Sequence, residues 1–515
     1  MKNNIKLATI ISYITLIAGN VISLLYTPFM LTTLGTGEYG LFTLVNTIIS
    51  YIYLLDMGIG NAVIRYNSKF IANNDEESLE KINGMFLILY TIISVIGLII
   101  GLIVYLNLGS IFGKGLTLEE IARIKVMFFM ALINLVLAFP LNVFNGIIMA
   151  YERFVYVKCL AFIRTILNPI IMISVLLLGY KAIGMIMAST IFNVILGIIN
   201  VIYCFKVLKI KIKFSGFNKE LYKEIFKYSF YVFLAVVAYR IYWSTDQFIL
   251  GMVAGSIPIA IYSIGIQFND YFTSFSGVIS NMFLPKLTKL TVNEDNKEEL
   301  MNILIKVSRI QSYIAFFILS GFILVGQEFI MRWAGYEYKE SYYIALIVMI
   351  PQIISIIQTL FATMLEAMNK HKIKSLIYLG VAIVNLVLTL ILVKYLGVIG
   401  CALGTAIGMI INAILNNLYY MLNIKLDMKR YWREIINVMI PITLSFILGY
   451  LVKIIIVPKS YFKIGLFVCI FTSIYFITCY KISFNKYEKE VASTIIKKII
   501  NIFNRKYIRR VKVED

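Results

Sequence analysis

From Ala8 to Tyr480 the chain alternates apolar runs with short polar breaks. Runs of about 20 residues are what a helix needs to cross the hydrocarbon core of a bilayer. Fourteen such spans are expected, near 8–30, 41–63, 83–106, 124–147, 157–178, 182–204, 228–252, 256–283, 307–331, 342–365, 373–394, 398–422, 434–457 and 462–480. The seventh, Tyr228–Met252, carries Arg240 at its middle. At 1.5 Å of rise per residue that is roughly 18 Å from either end, too deep for the side chain to snorkel to an interface. Gln247 returns to nearly the same helix face, and Trp243 and Asp246 step around it, so this helix is expected to line a cavity.

The chain also repeats itself. Gly35, Phe42, Tyr51 and Lys69 are answered at a constant offset by Gly255, Tyr262, Tyr271 and Lys289. Ala150, Arg153 and Asn168 are answered by Ala367, Lys370 and Asn385, and, after a slip of one residue, Gly184 and Ala188 by Gly400 and Gly404. Charged, Gly and Asn positions agree as well as apolar ones. Two six-span halves with the same orientation follow, the parallel-repeat plan of transporters, whose substrate site lies between the repeats. The expected organisation is therefore a half over 1–210, a basic linker over 211–227, a second half over 228–425, two further spans over 426–480 and a basic amphipathic tail over 481–515. On that tail Val491, Ile495, Ile499 and Phe503 share one helical face, as in a helix lying on a membrane surface.

Composition agrees with the span pattern: 60% of the 515 residues are hydrophobic and 15% are charged, at a mean hydropathy of +0.86, which excludes a soluble enzyme. The first span follows only MKNNIKL and has no cleavage pattern after it, so it reads as a retained helix and not as a signal peptide.

The net charge of +21 is a matter of placement. With odd spans running outward, 36 of the 48 Lys and Arg fall on the side of the termini and 10 on the other, while Arg164 and Arg240 lie within spans. This positive-inside asymmetry predicts that both termini lie in the cytoplasm, and a cytoplasmic-membrane location is expected with it. The basic segments suit anionic membrane lipids, and no groove for nucleic acid is visible.

The five cysteines are scattered, with neither a CxxC pair nor a neighbouring His, so no metal and no cofactor is expected. Gly109–Lys114, GSIFGK, falls one residue short of a phosphate-binding loop, and Gly115 stands where Ser or Thr belongs.

LGTGEYGLF (Leu34–Phe42) and LLDMGIGNAVIRY (Leu54–Tyr66) resemble the opening of Wzx-type oligosaccharide flippases, and Asp246–Phe268 resembles that family's junction of spans 7 and 8. These flippases belong to the superfamily that also contains the multidrug and toxin extrusion (MATE) carriers and the lipid II flippases. The resemblance implies an all-α polytopic membrane protein whose two six-helix halves form a V-shaped, MATE-like bundle, with two more helices at the C-terminus. It also implies alternating access that moves undecaprenyl-diphosphate-linked oligosaccharide to the outer leaflet for surface polysaccharide. A polysaccharide polymerase and glycosyltransferases would be its partners.

A diphosphate bearing a sugar head needs a polar, cationic cavity. Arg240, Arg164 and Arg65 are candidates for the anionic group. Asp56, Asp246, Asp270, Gln247, Asn168 and Asn385 are candidates for sugar hydroxyls or for balancing the arginines. Each has a plainer reading. Arg65 and Arg164 can be anchors at the cytoplasmic interface, Asp56 can cap a break before Met57-Gly58, and Asp246 can be the counter-ion of Arg240. Competing functions are a cation-coupled multidrug exporter or a lipid II flippase of the same fold. A membrane polysaccharide polymerase fits less well, because the outer loops are short and hold no room for its chemistry.

Overall fold

Hydrocarbon offers no hydrogen-bond partner to a peptide group, so a chain that crosses it must satisfy its backbone internally. The computed structural model does so with helices. It describes residues 2–215, 219–274, 284–291, 297–368 and 370–494.

In order, α1 is Lys2–Leu34, α2 Thr36–Ile52, α3 Ile59–Ala72, α4 Glu76–Phe112, α5 Leu118–Ala150, α6 Phe154–Leu177 and α7 Lys181–Lys206. They are followed by α8 Lys219–Val253, α9 Ser256–Ser274, α10 Leu284–Thr291, α11 Lys297–Trp333, α12 Ser341–Ile357 and α13 Thr359–Ala367. The last three are α14 His371–Leu422, α15 Met428–Ile456 and α16 Tyr461–Ile482. Among the described residues eleven helical stretches are long and apolar enough to cross a membrane. Helix α14 counts once among them, although Gly397, at φ 56 and ψ −131, breaks it between the two spans expected there. Helices α8 and α9, at the seventh and eighth expected spans, are not among the eleven.

Two stretches show more detail than the span pattern gives. The second span is interrupted at the place where the sequence lets Asp56 cap a break, by a 3₁₀ turn at Tyr53–Asp56 and by Met57 and Gly58, both at positive φ (49 and 70), before α3 resumes. Helix α8 begins at Lys219, inside the expected basic linker. The stretch before it lies along α4, where Lys213 N donates to Glu80 O at 3.0 Å. The tail is helical over 486–494, and Ile495, Ile499 and Phe503 of its expected apolar face lie outside the described residues.

Prolines inside the spans remove an N–H and leave a carbonyl four residues earlier without its helical donor. Pro140 frees Val136 O, which accepts from Ser94 Oγ of α4 at 2.6 Å. Pro28 frees Leu24 O, which accepts from Trp333 Nε1 at 2.7 Å. At the gap between α12 and α13, Ile357 O accepts from Ser308 Oγ at 2.6 Å. At these three places the freed carbonyl is answered by a polar side chain of another helix.

Two compact units result. One comprises 1–268, 333–345 and 378–408, and the other 269–332, 346–377 and 409–515. In the first, α5 packs against α4 and α7, and α1 against α6. Within it Gly35 and Gly255, matched in the sequence repeat, both have positive φ (78 and 98), and each immediately precedes a helix. In the second, Phe467, Phe471 and Tyr475 of α16 pack with Leu324 of α11 and Val438 of α15 in one apolar cluster. That unit also buries Arg309, whose guanidinium meets Glu488, Glu434, Tyr313 and the Ser483 carbonyl.

Candidate functional site

A polar side chain within a span is costly unless it meets a partner, water or a ligand. In the first compact unit such side chains gather in two places.

The first is a cavity of about 380 Å³ between α5, α6 and α7, with Tyr53 at one edge. Asn134, Asn142 and Asn145 of α5 and Asn193 and Asn200 of α7 line it, as does Arg164 of α6. The spacings of 8, 3 and 7 residues bring each set to one helix face. Gly197 lets α7 approach α5 closely, since a Cβ there would stand 2.5 Å from a Leu141 methyl carbon. Asn142 Nδ2 donates to Tyr53 OH at 3.1 Å, and Tyr156 OH donates to Asn200 Oδ1 at 3.2 Å. Asn134 Oδ1 is buried and accepts no hydrogen bond.

Tyr53 also lies within electrostatic reach of Asp56, Arg164 and Arg240. Asp56 is already engaged, accepting from Tyr90 OH at 2.6 Å and from the Gly58 backbone. Arg164 is exposed and Arg240 half-buried, and neither forms an ion pair among the described residues. Two guanidinium groups that form no ion pair among the described residues thus lie within electrostatic reach of Tyr53.

The second place is Asp246, 2% exposed. Its Oδ1 accepts from Thr389 Oγ1 at 3.1 Å, and its Oδ2 accepts from Thr405 Oγ1 at 2.7 Å and from Tyr262 OH. Asn385 supports the cradle, its Oδ1 standing 3.2 Å from Thr389 Oγ1 as an alternative acceptor for that hydroxyl and its Nδ2 donating to Tyr242 O at 3.2 Å. Among the described residues three Asp and Glu side chains are buried. Glu38 pairs with Arg123 and Glu488 with Arg309, but Asp246 meets hydroxyls and no cation. A carboxylate held this way in a low-dielectric site is neutral only with a proton or a small cation bound, and its oxygen-rich surroundings suit either.

Comparison with known proteins fits this architecture. Residues 7–291 match the family model described as polysaccharide biosynthesis protein, more than half of the chain. The chain belongs to that family. No curated protein sequence matches it. The lipid II flippase MurJ in an inward closed conformation superposes with a TM-score of 0.70 at 16% identity, over 92% of this chain and 97% of that one. An inward-facing multidrug resistance MATE transporter of the MOP superfamily superposes with a TM-score of 0.65 at 16% identity, over 80% and 94%. A MOP superfamily transporter from Pyrococcus furiosus, described as having a binding pocket of reverse polarity, gives 0.54 at 16% identity, over 81% and 95%. This polysaccharide biosynthesis protein therefore has the multi-pass helical fold of flippases and exporters, and its fold neighbours are transporters, not enzymes.

The family member's other sequence-derived candidates are dispersed. Gln247 bridges Thr47 and Ser263, donating to the latter at 3.1 Å. Asn168 is half-buried one turn beyond Arg164, outside the amide cavity. Arg65 is exposed, over the Tyr66 ring at 5.8 Å. Asp270 is exposed near the end of α9, in the second unit. Asp246 and Arg240 form no ion pair. The amides of α5 and α7 escaped the sequence reading, although their helical spacing inside apolar spans was a usable signal. The hydroxyls around Asp246 carried none, because Thr389 and Thr405 sit in the two parts of a helix broken at Gly397.

Proposed function

We propose that this family member flips undecaprenyl-diphosphate-linked oligosaccharide from the cytoplasmic to the outer leaflet of the cytoplasmic membrane. It would lie with both termini in the cytoplasm and its basic segments against anionic lipid. The observation that carries the reading is the pair of arginines near Tyr53, Arg164 and Arg240, which have no carboxylate partner among the described residues. A guanidinium at membrane depth calls for an anion, and a diphosphate offers paired oxygens to its fork. A carrier of cationic drugs calls for the opposite charge. Asp246 supplies a place for a proton or small cation whose uptake and release would drive the cycle.

The test is deletion in the native host. Surface polysaccharide should fall while a lipid-linked precursor accumulates on the cytoplasmic face. Normal surface polymer together with new drug sensitivity would show an exporter of the same fold instead.

A further inference from the structure

The cavity between α5, α6 and α7 is built for something other than lipid. Five asparagines converge on it from two helices, and asparagine placed at random in a span would be costly. A primary amide presents a donor and an acceptor side by side, the pattern that pairs with the vicinal hydroxyls or the acetamido group of a pyranose. Asn145 and Asn193 line the cavity with no hydrogen bond among the described residues, and Asn134 Oδ1 is buried without a donor. These groups are unsatisfied by the protein itself.

Size and position narrow the occupant. About 380 Å³ is near the lower end of the range for small-ligand sites, roughly 300–1,000 Å³, enough for one or two sugar rings and not for a long oligosaccharide. The cavity reaches from mid-span, where Asn134 stands about 24 Å from the start of α5, to Asn145, within two turns of its end at Ala150. That end is the one expected in the cytoplasm. Tyr53 borders the cavity and at the same time lies within reach of Arg164 and Arg240, so an anion held by the arginines would sit at its mouth.

We infer that the amide cavity is the subsite for the sugar joined to the diphosphate, read by Asn134, Asn145 and Asn193 while Arg164 and Arg240 hold the phosphates. This rests on the flippase reading and adds which end of the substrate the first compact unit grips. The purified full-length protein in nanodiscs would be titrated with three lipids: undecaprenyl diphosphate, and the same lipid bearing N-acetylglucosamine or glucose. The wild type should bind a sugar-bearing lipid at least tenfold more tightly than the bare diphosphate. Asn145→Leu combined with Asn193→Leu should abolish that preference and leave the affinity for the bare lipid unchanged, whereas Arg240→Ala should weaken all three. Equal binding of the three lipids by the wild type, or a preference that survives in the double variant, would overturn the subsite and leave the flippase reading standing. Failure to bind any of the three would overturn both.

Discussion

Arg309 and Glu488 share two hydrogen bonds, Nε to Oε1 at 2.7 Å and Nη2 to Oε2 at 3.1 Å, in a site where their side chains are 7% and 3% exposed. The pair joins α11 to the helical stretch that follows the last span. Asn485 and Glu488 close the start of that stretch, each side chain accepting from the other's backbone N–H at 2.9 Å.

Removing one partner of such a pair leaves a buried charge unmatched, which costs about 3–5 kcal/mol. Arg309→Ala is expected to lower the thermal stability and abundance of the protein sharply. Joining Arg309→Met to Glu488→Gln should recover most of the loss. Equal melting temperatures for the wild type and Arg309→Ala in detergent would show that the tail contributes nothing to the fold.

Asp246 gives a separation of structure from function. Asn is of the same size, and its one amide oxygen can still accept from Thr405 and Tyr262 while its NH2 donates to the Thr389 hydroxyl, but it can carry neither a titrating proton nor the charge that attracts a cation. Asp246→Asn should therefore reach the membrane within about twofold of normal abundance and lose at least tenfold in export. Export at the normal rate would assign the carboxylate to helix packing alone.

Arg240→Ala should accumulate normally and fail to export, because no described carboxylate is left unpaired by its loss. Arg240→Lys keeps a point charge without the planar fork and should retain partial activity. Degradation of the alanine variant, with rescue by a second change at Asp56 or Asp270, would instead make the arginine a structural partner.

Topology can be checked with two cysteines. Ser215, just before α8, belongs to the expected cytoplasmic linker, and Tyr336, 69% exposed between α11 and α12, to the opposite face. Tyr336 is the better reporter than its neighbour Gly335, whose φ of 112 an L side chain would strain. An impermeant thiol reagent applied to intact cells should label Tyr336→Cys and spare Ser215→Cys. Labelling of the latter alone would invert the orientation and with it the direction of transport.

The sequence by itself determined the membrane class, the helical fold and most of the span positions, because burial in hydrocarbon is governed by long apolar runs that can be counted along the chain. It also marked Arg240 and Arg164, since a charge inside such a run is visible without knowing its neighbours. What lies beside those charges was decided by the tertiary structure. Asp246 and Arg240 are close in sequence yet go separate ways, Asp246 to hydroxyls on α9 and on both parts of α14. Asn134 and Asn193 are far apart in the chain yet face one cavity. A helix fixes which residues share its own face, but which helix that face meets is set by crossing and packing between distant segments, and one-dimensional periodicity carries no record of that.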